Sequence, residues 1–204
     1  MADPLPAAIQ DFDVVSATPE EFARALFDRP IATQDEVWDV LGERGEFDPW
    51  FYDKAGFVRA CTAMFQRFGA LSDPYSFEQV EQGLGLIHSY PYFLAFYLID
   101  SEVPRGDAIE CARAAFYLYQ DYLAKRNPPG GSGALYMWWD NAWTGAGEPF
   151  FEAVLETLQR ILGLGHKACD EAALHGLSHL HEYLPEGVET VYGRYRAGLG
   201  VTSP

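Results

Sequence analysis

Three features of the 204-residue sequence predict an all-α fold, a compact multi-helix bundle or short α-solenoid of helical hairpins with about nine helices. Apolar residues recur at helical spacing along most of the chain, capping signals precede those runs, and glycine or proline ends them. With 49% hydrophobic and 15% aromatic residues the chain can bury a large core. Its length suits one domain over 1–204, or lobes 16–126 and 134–198 joined by the Gly/Pro-rich segment 127–133.

Thr18-Pro19-Glu20-Glu21 supplies an N-cap, a proline at the first helical position and a reciprocal glutamate, so a helix starts there and Pro30 stops it. Thr33-Gln34-Asp35-Glu36 repeats that logic before Val37, Trp38, Val40 and Leu41, which makes a hairpin of two short helices. Asp48-Pro49 opens a longer helix whose Trp50, Phe57, Cys61, Met64, Phe65 and Phe68 share one face up to Gly69. Phe77, Val80, Leu84 and Ile87 continue the helical spacing, with Gly83 and Gly85 as points of weakness or kinking. The apolar run Tyr90–Ile99 is half the length a membrane span needs; it fits a short central helix or a buried strand, which periodicity alone does not separate, and helix is the favoured reading.

Pro104 to Arg126 predicts one long helix, capped by Asp107, with Ile109, Ala112, Phe116, Tyr119 and Leu123 as its stripe. After the break at 127–133, the segment from Ala134 to Gly147 crowds Tyr136, Met137, Trp138, Trp139 and Trp143 between glycine-rich flanks, with Asp140 and Asn141 as polar handles. A helix from Glu148 carries Phe150, Phe151, Val154, Leu155, Leu158, Ile161 and Leu162 on one wide face, and Gly163 and Gly165 end it. His166–Leu184 forms a further helix closed by Pro185, and Val188, Val191, Tyr192 and Tyr195 mark a last amphipathic one.

Helices bearing Cys61, Cys111 and Cys169 recur along the chain, the last two sharing a Cys-x-x-Ala-Ala pattern. Through the helix-turn-helix of 148–184 and the small-residue stretch ALHGLSHL at 173–180, this part of the chain resembles HEAT-like helical-repeat proteins. That resemblance implies a binding scaffold and brings no catalytic residues with it.

His175-x-x-x-His179 has metal-like spacing, because residues four apart share a helical face and two imidazoles there can chelate one ion. One of Glu171 and Glu182 on that face, with His166 or water, would complete a site for a divalent metal such as zinc; the alternative reading of the pair is a polar outer face with two titratable histidines. Position 176 is glycine instead of the glutamate of the H-E-x-x-H metalloprotease motif, so that motif's general base is missing. His181 leans toward the apolar side as a hydrogen-bonded core histidine. The three cysteines sit in apolar helices and read as inert packing. No nucleophile elbow, phosphate loop or dinucleotide fingerprint occurs in strand context.

The net charge of −16 argues against direct nucleic-acid binding, and residues 1–56 hold 13 acids against four bases, −9 of that total. The leading expectation is a non-enzymatic, cytoplasmic binding module, such as an immunity protein, antitoxin or adaptor of a bacterial complex, without a cofactor. It would engage a basic protein through Asp35, Glu36, Asp39 and Glu43, aided by Tyr136, Trp138, Trp139 and Trp143 where a glycine-rich setting presents them; the other reading of those aromatics is core that fills the gap between two lobes. A metal-binding enzyme or sensor using His175 and His179 is the alternative class, and a nucleic-acid mimic the third.

Overall fold

A computed structural model describes residues 13–31, 53–88, 94–128, 130–140 and 146–198, and among them every regular element is helical. The expected helix around Thr33–Leu41, Trp50 and Trp143 lie outside the described residues.

Helix α1 (Pro19–Phe27) begins as its sequence requires: Thr18 Oγ1 accepts from the Glu21 amide while the Glu21 carboxylate accepts from the Thr18 amide at 2.9 Å. Helix α2 (Lys54–Phe65) is capped by Asp53, which accepts from the Gly56 amide at 2.7 Å. Its predicted inner residues Phe57, Cys61, Met64 and Phe65 are fully buried. Its outer face is cross-linked to later segments: Lys54 to Asp100 and Glu102, and Arg59 to Asp107. The run does not continue smoothly through Phe68; it ends at Phe65, and a separate turn of helix, α3 (Phe68–Ser72), follows.

Helix α4 (Phe77–His88) stays helical through both of its glycines. A side chain at Gly83 would overlap the Phe27 ring and crowd the Leu26 carbonyl, so this glycine lets α1 lie close on α4. Helix α5 (Leu94–Ile99) falls in the apolar run, and no helix among the described residues is long and apolar enough to cross a membrane.

The expected single helix 104–126 is instead divided into α6 (Arg105–Ala114), a π-helical stretch (Leu118–Leu123) and a final turn, α7 (Ala124–Arg126). Leu118, Tyr119, Tyr122 and Leu123 of the π-helical stretch are all buried. Asp107 does not cap this helix: the N-cap is Pro104, without a side-chain bond, and Asp107 accepts from Arg59 at 3.0 Å. At the far end Arg126 lies over the Tyr122 ring and donates to the carbonyls of Ser72, Asp73 and Tyr75, satisfying the end of α3.

The chain then turns through Asn127, at φ 41°, into α8 (Gly133–Tyr136) and a 3-10 turn (Met137–Trp139). Helices α9 (Glu148–Leu162) and α10 (Lys167–Leu180) form a tight hairpin, and α11 (Pro185–Gly198) packs on both. Helix α6 is central, with α2 on one side and α9 on another, and a single apolar cluster runs from Val14 to Val191 through helices on both sides of segment 127–133. Cys61, Cys111 and Cys169 are buried and unpaired; burial pushes the Cys111 and Cys169 thiols up to about 12, far from reactive thiolates.

Candidate metal centre

Residues 130–140 are too short in helix to persist alone, and their placement comes from what the rest of the molecule does to them. Ser132 caps α8, accepting from the Leu135 amide at 3.0 Å, and its hydroxyl donates to Glu81 of α4 at 2.5 Å. The other Glu81 oxygen accepts from the Ala134 amide at 3.2 Å. Burial raises the Glu81 pKa, and these hydrogen bonds oppose that rise. From the π-helical stretch, the buried Tyr119 hydroxyl donates to the Leu135 carbonyl at 2.8 Å.

Trp138 and Trp139, expected as partner contacts, are 9% and 5% exposed. Trp138 packs edge-on against Phe65, and Trp139 stacks on Tyr119, so their rings anchor the segment in the core. They also line a cavity of about 40 Å³ with Phe65, His88, Leu94 and Phe150, room for a few waters. Burial lowers the His88 pKa, opposed by the Asp140 charge and by hydrogen bonds to the backbone of Met137 and Trp138.

Helix α10 meets this segment at Gly176, where a Cβ would come within 2.9 Å of Trp139 and of Leu158. The glycine that removes the metalloprotease glutamate therefore has a packing cause: it lets the backbone of α10 lie against the Trp139 ring. One residue beyond that ring, Asp140 reaches the histidine pair.

Asp140 Oδ1 lies 2.6 Å from His175 Nε2 and 3.4 Å from His179 Nε2, and the two Nε2 atoms are 3.4 Å apart. The imidazoles meet edge to face at 83°, and the Tyr136 ring stacks on His175 at 4.3 Å and 22°. The site is thus two helical turns face to face, Tyr136 and Asp140 on one and His175 and His179 on the other. Side-chain exposures of 18% for Asp140, 23% for His175 and 39% for His179 place it at the rim, open to solvent on the His179 side.

Asp140, His175 and His179 are the group of potential ligands that the described residues bring together. Glu171 and Glu182, the carboxylates expected to complete the pair, are not in it. Glu171 is exposed and 3.7 Å from Lys167, and Glu182 is exposed beyond the end of α10. His166 instead pairs with Asn127 at 2.9 Å. His181 is no core histidine; it is exposed and 3.2 Å from Glu189, because α10 ends at Leu180 and the chain turns outward there. Of the residues expected to bind a partner, Tyr136 is 42% exposed, while Asp35, Glu36, Asp39, Glu43 and Trp143 lie outside the described residues.

Asp140 was visible in the sequence only as a polar handle of the aromatic segment. It stands 35 residues before His175, and no local spacing relates the two. Compared with protein-family models, curated proteins and solved structures, the chain matches none.

Proposed function

We propose that this protein binds one divalent transition-metal ion, zinc foremost, through His175 Nε2, His179 Nε2 and an Asp140 carboxylate oxygen. The observation that carries the reading is the convergence of these three atoms. Tetrahedral zinc with bonds of about 2.0–2.1 Å sets its donors about 3.3–3.4 Å apart. Two of the three edges here are 3.4 Å. The third, 2.6 Å between Asp140 and His175, is a hydrogen bond that an entering ion replaces.

Two imidazoles and one carboxylate suit zinc and also iron(II). Three protein ligands with a solvent-facing fourth position are the arrangement of metal sites that keep a water or an exogenous ligand. Imidazoles ligate only when deprotonated, so binding releases protons and weakens as the solution turns acid.

Zinc titration against a chromophoric chelator tests the reading. The wild-type chain should bind one equivalent. His175→Ala and His179→Ala should each lose affinity by more than the roughly 100-fold that outer-shell changes cost, and Asp140→Asn should weaken binding as well. Wild-type protein that competes no better than the variants contradicts it.

The charge of −16 supports a second reading, a surface that steers a basic protein partner. Reversing Asp35, Glu36 and Asp39 should slow association with such a partner and flatten its salt dependence. Unchanged rates at low and high salt would exclude that role for these residues.

A further inference from the structure

We infer that Tyr136 is the positioning residue of this centre: its ring holds the His175 imidazole in the plane that points Nε2 at the ion. The inference rests on the metal-binding reading and goes beyond it to what sets the geometry of the ligands.

A metal-bound histidine usually donates its second ring nitrogen to a carbonyl or carboxylate, which stops the ring from turning about its bond to Cβ. Among the described residues every hydrogen bond and ion pair of the His175 ring is made by Nε2, to Asp140 and His179. Once Nε2 gives those contacts to an ion, no second nitrogen bond among the described residues fixes the ring. What remains are ring contacts: the edge-to-face meeting with His179, itself a ligand, and the stack with Tyr136, at 4.3 Å between centroids and 22° between planes. Its neighbours in sequence, Trp138 and Trp139, are buried, whereas Tyr136 stays 42% exposed and spends its ring on His175.

The register supports this division of labour. Tyr136 and Asp140 are one helical turn apart on the same short segment, so the segment that delivers the carboxylate also delivers the ring that aligns its partner histidine. The Glu81, Ser132 and Tyr119 contacts that fix α8 therefore fix both at once.

The test uses the full chain and three substitutions: Tyr136→Phe, which keeps the ring, and Tyr136→Leu and Tyr136→Gln, which remove it. Zinc affinity is read by chelator competition, and the ligand set by cobalt(II) visible absorption and by the number of imidazoles coupled to copper(II) in pulsed EPR. Tyr136→Phe should match wild type. Both ring-less variants should bind about tenfold more weakly, the cost of an outer-shell loss. Their copper spectra should fall from two coupled imidazoles toward one, while metal-free circular dichroism stays unchanged.

Ring-less variants that keep wild-type affinity and two coupled imidazoles overturn the inference and leave the metal site standing. A Phe variant as weak as the Leu variant also overturns it, since the hydroxyl would then be the active group. A wild-type chain that binds no metal overturns both.

Discussion

A single hydrogen atom at position 176 decides how near α10 comes to the aromatic segment. The methyl of Gly176→Ala would meet Trp139 and Leu158 at 2.9 Å, and neither can retreat, since Trp139 is stacked on Tyr119 and Leu158 is fully buried. Overpacking of this kind costs about 1–3 kcal/mol. Because Asp140 follows Trp139 directly, the same shift should draw the carboxylate off the histidines. Chemical denaturation of Gly176→Ala should show the loss of stability, and zinc titration should show weakened binding in the fraction that remains folded. Wild-type values in both would mean that the two elements are not in the contact described.

The elements differ in how far their own sequences specify them. The start of helix α1 was legible to the residue, because its capping box is a local device and Thr18 and Glu21 carry it out as expected; its end at Phe27 comes three residues before the expected stop at Pro30. The wide apolar face of α9 was legible for the same reason: Phe150, Phe151, Val154, Leu158 and Ile161 need only helical periodicity to find one side. The 105–126 region was not, since a π turn adds a residue to the period without any glycine or proline to mark it. Nor was α8, whose position depends on Glu81, some fifty residues upstream. His175 and His179 could be paired from spacing alone, yet their carboxylate came from tertiary packing, which is why Glu171 and Glu182 stood in the place that Asp140 takes.

Glu81 makes the element-scale prediction. Burial raises its folded pKa above the ordinary 4.5, so the folded state holds the proton more tightly than the unfolded chain does. Its contribution to stability is therefore most favourable below the unfolded value and is lost as pH rises through the folded value. Glu81→Gln removes that titration. The stability of the variant relative to wild type should rise as pH goes from about 4 to about 7. A difference that is flat across this window would show that burial places no charge penalty on Glu81.

At the scale of the whole molecule, the charge of −16 and the proposed metal centre act in the same direction. An acidic surface attracts cations over several ångströms and discourages anionic ligands, so a divalent ion approaches the open rim of the site with the field in its favour. An ion held by α10 and by Asp140 would also link two parts of the chain that packing and the Asp140–His175 hydrogen bond already join. Zinc at a hundred times its Kd should raise stability by about 2.7 kcal/mol and the melting temperature by about 5–10 °C. His179→Ala should show no such rise.

The most direct measurement is equilibrium dialysis of the full chain against zinc, with bound metal counted by elemental analysis beside the His175→Ala, His179→Ala double variant. One zinc per wild-type chain and none on the variant is the predicted result. No zinc on the wild type above background, or the same count on both proteins, would contradict a metal centre at Asp140, His175 and His179.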